Sequence, residues 1–243
     1  MRFIALLLSL ARASASAVSP PGQLFDLTSF ALQLPVSDGG GGVQQVKQPA
    51  LATYTSEYFY TNASSGAMTF WCPENGAHTS GSSYPRSELR QVPDLTLGRN
   101  AQMNVSMSVD KLPTGGSITV GQIHFDGISG HCSIVIELEY TSGSLVAHLR
   151  DSACKSLSKT VGSGYSLGEV FSYSLIVDGL DVQATSDSGT MAPYAYDWAI
   201  QGCGQPVGKC PLYFKVGDYV QTASSSSTNG GIVSVHSLSL AGV

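Results

Sequence analysis

The sequence is poor in basic residues, with 12 Lys and Arg against 17 Asp and Glu in 243 residues and a formal net charge of −5 at pH 7. Proteins that bind nucleic acid need a basic face to meet the phosphate backbone. We therefore expect no nucleic-acid partner. An anionic ligand of another kind would require the few cations to gather in one place.

Long hydrophobic runs are also lacking. The apolar stretch Phe3–Leu10 is far shorter than the roughly 20 residues that span a bilayer, so we expect no membrane segment. Arg2, this stretch and the small residues of Ala13–Ala17 have the pattern of a cleaved export signal. We predict a signal peptide over residues 1–17 and a secreted, extracellular product. Loss of Arg2 and Arg12 would leave ten basic against seventeen acidic residues, a formal charge of −7.

Metal-binding spacings are missing as well. The chain has no Cys-x-x-Cys pair, and no two histidines stand at the spacing of zinc ligands. We therefore predict no metal site and no cofactor.

Five cysteines in an exported chain imply disulfides and one unpaired thiol. Cys132 and Cys154 lie symmetrically about the predicted hairpin turn Ser142–Gly143, and Cys203 and Cys210 bracket a short loop. The sequence thus predicts the disulfides Cys132–Cys154 and Cys203–Cys210, and it leaves Cys72 unpaired.

Sustained helical periodicity is absent, apart from a possible short turn near Leu24–Ala31. Short stretches typical of strands recur instead, separated by Gly, Ser, Asn and Pro. The predicted strands include Tyr54–Thr61, Ala67–Trp71, Ser87–Gln91, Ala101–Asp110, Ser117–Phe125, Ser133–Tyr140, Leu145–Arg150, Phe171–Asp178, Leu180–Thr185, Leu212–Gln221 and Gly231–Leu240. The Ser/Gly-rich segments Val36–Val43 and Ser224–Gly231 are predicted loops.

This pattern predicts an all-β fold, a jelly-roll sandwich of two antiparallel sheets. A curved sheet with one packed face and one open face would form a concave groove for a polymer. Because the chain has no internal repeat and no long linker, we predict one domain over residues 18–243.

The segment Tyr213–Gln221 predicts a strand with two chemically different faces, because successive strand side chains point to opposite sides. One face carries Tyr213, Lys215, Tyr219 and Gln221, and the other carries Phe214, Val216 and Val220. An exposed strand usually presents Ser, Thr or scattered charges. A row with a proton donor, a cation and an amide indicates the wall of a functional site.

Two further segments have similar polar faces. Arg86, Glu88 and Arg90 share one face of a predicted strand, an arrangement that an exposed salt-bridged strand would also show. Gln122 and His124 share a face of another. If these strands are neighbours of Tyr213–Gln221, three cations converge on an otherwise acidic protein, as binding of an anionic polymer requires.

The three segments resemble a known family. Arg-Ser-Glu-Leu-Arg at 86–90, Gln-Ile-His at 122–124 and Tyr-Phe-Lys-Val-Gly-Asp-Tyr-Val-Gln at 213–221 are similar to the signature blocks of the jelly-roll alginate lyases, polysaccharide lyase family 7. The blocks extend over most of the predicted domain. One departure is Val216, where the family commonly has Ala, on the face predicted to pack.

The resemblance implies a lyase that cleaves alginate, a 1,4-linked chain of mannuronate and guluronate, by β-elimination. It would release unsaturated oligosaccharides and act within the chain. Two alternatives stay open: a lyase for glucuronan or another polyuronate, and a non-catalytic carbohydrate-binding module. We expect alginate as the only partner and a monomeric protein.

β-Elimination removes the proton on C5, beside the carboxylate, and expels the oxygen on C4. The resemblance implies that Arg86 and Gln122 bind and neutralise this carboxylate and stabilise the charge of the transition state. His124 would be the base for guluronate. Tyr219 would be the acid and, for mannuronate, also the base, because nearby cations would favour its phenolate.

The remaining motif residues are predicted to contact the polymer. These are Glu88, Arg90, Lys215, Tyr213 and Gln221. Arg90 and Lys215 would bind carboxylates of neighbouring sugars, while Glu88 would orient the arginines.

Glu137 and Glu139 share a strand face and raise the alternative of a glycosidase. A retaining pair needs carboxyls about 5–5.5 Å apart, whereas alternate residues of a strand are nearer ~7 Å apart. We therefore do not predict glycosidase activity.

Overall fold

The computed structural model describes residues 18–96, 98–126, 133–150, 155–195 and 211–242. The predicted signal peptide lies outside the described residues, and so do Cys132, Cys154, Cys203 and Cys210. The two disulfides therefore stay predictions. Cys72 is a free, fully buried thiol. In the described part of the chain, no helix has the length and apolar character needed to cross a membrane.

Strands dominate the structure, and the helical segments are one turn each, at Pro21–Leu24 and Ala50–Thr53. In chain order the strands are β1 (Phe30–Ser37), β2 (Val43–Val46), β3 (Phe59–Thr61), β4 (Met68–Pro73), β5 (Arg86–Gln91), β6 (Leu95–Thr96), β7 (Ala101–Lys111), β8 (Ser117–Phe125), β9 (Ile134–Thr141), β10 (Ser144–Arg150), β11 (Ser156–Ser163), β12 (Phe171–Asp178), β13 (Asp181–Ser186), β14 (Tyr194–Ala195), β15 (Pro211–Val220) and β16 (Gly230–Ala241).

These strands form two antiparallel sheets, which confirms the predicted all-β jelly-roll sandwich. Within the described residues the larger sheet has nine strands in the order β11-β10-β9-β8-β15-β5-β1-β2, with β6 beside β15. The smaller sheet has seven, in the order β14-β13-β12-β7-β16-β4-β3. The three strands with polar faces, β8, β15 and β5, are direct neighbours at the centre of the larger sheet.

The core lies between the sheets and follows from alternation along the strands. In β9, for example, Ile136, Leu138 and Tyr140 are buried in the core, while Glu137 and Glu139 lie on the outer face. Burial of such side chains stabilises the fold by about 25 cal/mol per Å² of apolar surface. The same alternation leaves the outer face of the larger sheet free to carry polar groups.

Four strands of the larger sheet, β1, β2, β6 and β11, are missing from the predicted strands, and β2 and β6 are only four and two residues long. β1 is buried along most of its length, so its sequence lacks the polar alternation that marks a half-exposed strand. β11 lies at the edge of the sheet and is mostly exposed and polar, so it resembles a loop. The predicted loop Val36–Val43 is wrong at both ends, since β1 continues to Ser37 and β2 begins at Val43.

The hairpin predicted around Ser142–Gly143 is confirmed. Both turn residues have positive φ angles, 49° at Ser142 and 76° at Gly143, as a two-residue hairpin turn requires. The turn joins β9 to β10, which pair antiparallel. β10 therefore lies two strands away from β8 in the same sheet.

The central strand β15 contains a bulge beside β8. Val216 pairs with Gly121 and Tyr219 with Thr119, so β15 has one extra residue between these pairs. Only glycine fits at position 217, because the Cβ atom of any other residue would lie 2.6 Å from the carbonyl oxygen of Ser87. The packing is therefore tight directly behind the polar face.

Asp218, within this bulge, points into the core. Its side chain is fully buried, and neither carboxyl oxygen has a hydrogen-bond partner among the described residues. Burial raises the pKa of this carboxyl well above its ordinary value of 3.8 and outweighs the opposing effect of the nearby Cys72 backbone. A buried carboxyl without partners is stable only in its neutral form.

We expect Asp218→Asn to stabilise the protein increasingly as the pH rises. The folded wild type keeps a proton that the unfolded chain releases above its ordinary pKa, so its free energy of unfolding falls with increasing pH. Asn has no such proton. Melting curves should show little difference at about pH 4 and a variant several degrees more stable at about pH 8, at roughly 2–4 °C per kcal/mol. An equal difference at both pH values would contradict a neutral Asp218.

Candidate active site

The three polar strand faces form one continuous surface. In the ladder, Lys215 on β15 stands between Arg90 on β5 and Gln122 on β8. Tyr213 is opposite His124, and Tyr219 is opposite Arg86. The structure thus brings the predicted residues together across neighbouring strands.

Glu88 is the centre of a buried polar network. Its Oε2 atom accepts hydrogen bonds from Arg86 Nη1 at 3.1 Å and from Lys215 Nζ at 2.9 Å. Its Oε1 atom accepts a short hydrogen bond from the amide of Gln122. Glu88 is fully buried, and its contacts are those of a residue that orients its neighbours. It holds Arg86, Lys215 and Gln122 in place.

Lys215 is also more enclosed than predicted. Its side chain is only 5% exposed, and its ammonium group donates a second hydrogen bond, of 2.8 Å, to Gln33 Oε1 on β1. Burial and the nearby Arg86 lower the pKa of Lys215 to about 8, despite the opposing charge of Glu88. Burial alone would raise the pKa of Glu88, but Lys215 and Arg86 bring it below its ordinary value.

Gln122 connects this network to the imidazole of His124. The Oε1 atom of Gln122 lies 2.8 Å from His124 Nε2, while its amide nitrogen donates to Glu88. The carbonyl oxygen can only accept, which assigns the proton to Nε2 and leaves Nδ1 with the lone pair. Gln122 therefore fixes which imidazole nitrogen can take up a proton.

His124 is neutral at neutral pH. Burial, together with the positive charges of Lys215 and Arg86, lowers the pKa of its imidazole well below the ordinary value of 6.5. An unperturbed imidazole titrates near neutral pH, and the difference arises because His124 is enclosed and the cations of the site surround the ring. The ring stacks on Tyr213, with centroids 5.6 Å apart and planes at 13°.

Tyr219 keeps its proton. Burial raises the pKa of its phenol, and this outweighs the opposing effects of Arg86 and of the hydrogen bond to Ser82. The guanidinium of Arg86 lies 3.9 Å from the centre of the Tyr219 ring. The expected phenolate, favoured by nearby cations, is therefore wrong for this structure: Tyr219 is arranged as a proton donor.

Ser82 is a site residue that the sequence analysis missed. Its Oγ atom accepts a hydrogen bond of 2.8 Å from Arg86 Nη2 and lies 3.2 Å from the hydroxyl of Tyr219. It also donates a hydrogen bond of 2.8 Å to the carbonyl of Tyr84. Ser82 thus links the loop before β5 to two motif residues. A serine in a polar loop gives no periodic signal by which it could be found.

Arg90 and Tyr213 form the other end of the surface. The Arg90 guanidinium lies 3.8 Å from the centre of the Tyr213 ring and forms ion pairs with Asp94 at 2.8 Å and Asp126 at 3.6 Å. The guanidinium of Arg90 is therefore already paired with two carboxylates of the protein. The last motif residue, Gln221, follows β15 and donates a hydrogen bond of 3.0 Å to Thr119.

A pocket of about 540 Å³ opens between the loop before β5 and the strands β8, β9 and β10. It is lined by Ser80, Gly81, Ser82, Ser83, Tyr84, Arg86, Gln122, His124, Ser133, Ile134, Glu137, Arg150, Tyr219 and Gln221. The pocket contains all four predicted catalytic residues. It also contains Glu137 and Arg150, which no motif marked.

Metal ligands are not gathered here. Across the described residues, no group of three or more His, Cys, Asp or Glu side chains is placed to hold an ion. The side chains of the pocket offer proton transfer and charge neutralisation. A neutral imidazole, a protonated phenol and a guanidinium held by a buried carboxylate face one cavity.

Solved structures resemble this chain over almost its whole length. The crystal structure of alginate lyase A1-II′, a member of polysaccharide lyase family-7, has a TM-score of 0.80 and 29% identity, covering 92% of this chain and 98% of that one. The alginate lyase from Corynebacterium sp. has a TM-score of 0.77 and 27% identity, covering 92% and 98%. A variant of A1-II′ in complex with substrate (GGMG) has a TM-score of 0.79 and 28% identity, covering 92% and 96%.

Sequence comparison gives the same family. An alginate lyase of Klebsiella pneumoniae is 42% identical over 82 residues, which are 32% of this chain and 27% of that protein. The matched segment thus spans about a quarter of the length of this curated relative. The family model described as alginate lyase matches residues 25–241. The predicted family is therefore confirmed: the chain belongs to the alginate lyase family of polysaccharide lyases.

Proposed function

We propose that the protein cleaves alginate within the chain by β-elimination and that it acts outside the cell. The observation that carries this proposal is the arrangement around Glu88. A buried carboxylate holds Arg86 and Gln122 at a pocket that also contains a neutral His124 and a protonated Tyr219. Each group that β-elimination requires is present in the protonation state it needs.

Neutralisation of the substrate carboxylate is the first requirement. A carboxylate beside C5 opposes removal of the C5 proton, because negative charge builds up on the same group. Arg86 supplies the compensating charge, and the second amide hydrogen of Gln122 is available to the growing enolate. Such preorganised donors stabilise the transition state without reorganising during the reaction.

Two proton transfers complete the reaction. His124 accepts the C5 proton at Nδ1, the electron pair of that bond forms the C4=C5 double bond, and the C4–O4 bond breaks. Tyr219 gives its proton to the departing O4, and solvent later restores both groups. Because Tyr219 is protonated, His124 is the better base. This favours guluronate, where proton and leaving group lie on opposite sides of the sugar.

A digestion series tests the proposal. Poly-guluronate, poly-mannuronate and mixed alginate are incubated with the protein, and the ultraviolet absorbance of the new conjugated double bond is recorded, with glucuronan in parallel. We expect the highest rate on guluronate-containing chains and early products of intermediate length. No increase in absorbance with any of the alginates would refute the activity. Release of single sugars from the start would refute internal cleavage.

The pH profile follows from the pKa shifts. Activity requires neutral His124, whose pKa lies well below 6.5, and charged Lys215, whose pKa is about 8. We therefore expect kcat/KM to be level across neutral pH and to fall above about pH 8, because the enclosed Lys215 then loses its charge and the pocket attracts the polyanion less strongly. KM should rise there before kcat falls, because Tyr219 keeps its proton to a higher pH. An acid limb centred above pH 6.5 would contradict a neutral His124.

Export is supported by the pattern of residues 1–17. Expression of the full chain in a secreting host should deliver the protein to the medium with its first residue near Val18. The mass of the secreted product, measured with and without reduction, would also show whether the two predicted disulfides form. Retention of an uncleaved chain inside the cell would contradict the export signal.

A further inference from the structure

One guanidinium in the pocket has no part in the proposed chemistry. Arg150 is the last residue of β10, and it lines the pocket together with Glu137 on β9. In the ladder, Glu137 is opposite Gln122 on β8. Neighbouring strands are about 4.8 Å apart, so β10 lies roughly 10 Å from the strand that carries Gln122. Arg150 therefore belongs to a part of the pocket beyond the reacting sugar.

The other cations of the site are already well bound. Lys215 donates to Glu88 at 2.9 Å and is almost completely enclosed. Arg86 donates to the same carboxylate at 3.1 Å, and Arg90 pairs with Asp94 at 2.8 Å. The contacts of Lys215 and Arg90 have the lengths of charge-assisted hydrogen bonds, and Arg86 donates a second hydrogen bond, of 2.8 Å, to Ser82.

Arg150 is different. Its ion pair with Glu137 is 3.6 Å long, beyond the roughly 2.7–2.9 Å of a charge-assisted hydrogen bond. Its Nε atom is buried and has no hydrogen-bond partner in the part of the chain that the structure describes. A buried donor without a partner is costly. The guanidinium thus has donors to offer, in the fork geometry that matches a carboxylate.

Glu137 is a weak competitor for these donors. Its side chain is 17% exposed and that of Arg150 14% exposed, so both reach the pocket. Burial raises the pKa of Glu137, although Arg150 and Arg86 oppose this. A carboxyl in this state holds the guanidinium toward the pocket without satisfying it.

We infer that Arg150 binds the carboxylate of a second uronate, beyond the one held by Arg86 and Gln122, through paired hydrogen bonds that replace its long contact with Glu137. The inference rests on the proposed function and extends it by an acidic-sugar subsite on β10. It gives the pocket two carboxylate sites of different kinds. At one, Arg86 is fixed by buried Glu88; at the other, Arg150 exchanges a protein carboxyl for that of the substrate.

Three variants test the subsite. We expect Arg150→Ala to raise KM for alginate about tenfold with kcat changed less than twofold, because a charge-assisted pair is lost away from the reacting atoms. Arg150→Lys should recover part of this loss. Arg99→Ala, which removes an exposed cation on the loop before β7, should leave KM unchanged. A lower kcat at unchanged KM, or no change in either constant, would overturn the subsite.

Glu137→Gln separates a binding role from a structural one. If the Glu137–Arg150 pair only supports the fold, breaking it weakens binding. If Arg150 is a subsite, the neutral amide releases its donors and removes a negative charge, so alginate should bind severalfold more tightly. The titration uses alginate oligosaccharides of defined length and a Tyr219→Phe background, where turnover does not interfere.

The same titration distinguishes failure of this inference from failure of the proposed function. Wild type that turns over alginate, together with equal affinities before and after Arg150→Ala, refutes the subsite alone. Absence of turnover in the wild type refutes the activity, while weaker binding after Arg150→Ala still supports the subsite. Melting temperatures of all variants show which of them are folded.

Discussion

Tyr219→Phe will lower kcat on alginate by about 10²–10⁴-fold, the usual contribution of a positioned acid or base, while oligosaccharide affinity stays within a few-fold of wild type. The change removes only the hydroxyl that lies 3.2 Å from Ser82. The ring stays and keeps its contact with the Arg86 guanidinium. Loss of rate without loss of binding is the expected signature of a proton donor to the leaving oxygen.

A matched control is Tyr60→Phe, in β3 at the edge of the smaller sheet. It removes a phenol of the same kind outside the pocket, and its kcat should equal that of the wild type. Activity of Tyr219→Phe close to wild type would remove Tyr219 from the acid role. A wild type that binds alginate tightly but yields no unsaturated product would instead support a non-catalytic binding module.

The second large effect is expected for Glu88→Ala, which should abolish activity and lower the free energy of unfolding by about 3–5 kcal/mol. Removal of one partner from a buried ionic network leaves uncompensated charge behind. Lys215 would be affected most, because its side chain is only 5% exposed. Its buried charge would keep Gln33 as its one hydrogen-bond partner among the described residues. Chemical denaturation and initial rates on alginate measure the two effects.

Two further variants make this prediction specific. Glu88→Gln keeps the shape of the side chain and some of its hydrogen bonds, so it should be less destabilised yet still strongly impaired in kcat/KM. Glu57→Ala removes an exposed carboxylate before β3 and should change neither stability nor rate appreciably. If Glu88→Ala is as stable as Glu57→Ala, the network around Glu88 does not organise the site.

The sequence predicts the chemistry of the central strands better than it predicts their surroundings. Alternation in β5 and β15 assigns each motif side chain to a face despite the bulge in β15, and Val216 lies in the core, on the side predicted to pack. The strands β8, β15 and β5 are neighbours because segments distant in the sequence pair with one another. Alternation along one strand does not indicate which other strand it pairs with. Gln33, the second partner of Lys215, was missed because β1 itself was not predicted.

Residues outside the motifs were missed for other physical reasons. Ser82 lies in a loop, where no periodicity marks a functional side chain. Glu137 and Arg150 look like an ordinary solvated strand face until β10 is placed beside the pocket. The protonation states could not be predicted from the sequence, because they depend on burial. Nearby cations alone favour a phenolate at Tyr219, whereas burial raises its pKa and keeps it protonated.

The central position of β15 has a consequence for how the protein responds to heat. Its backbone is bonded to β8 on one side and β5 on the other, so Lys215 and Tyr219 cannot leave their places unless both ladders open. Segments of this kind exchange their amide hydrogens only by global unfolding. The rate of heat inactivation should therefore equal the unfolding rate of the whole sandwich. The activity that remains after heating then measures the fraction of molecules that are still folded.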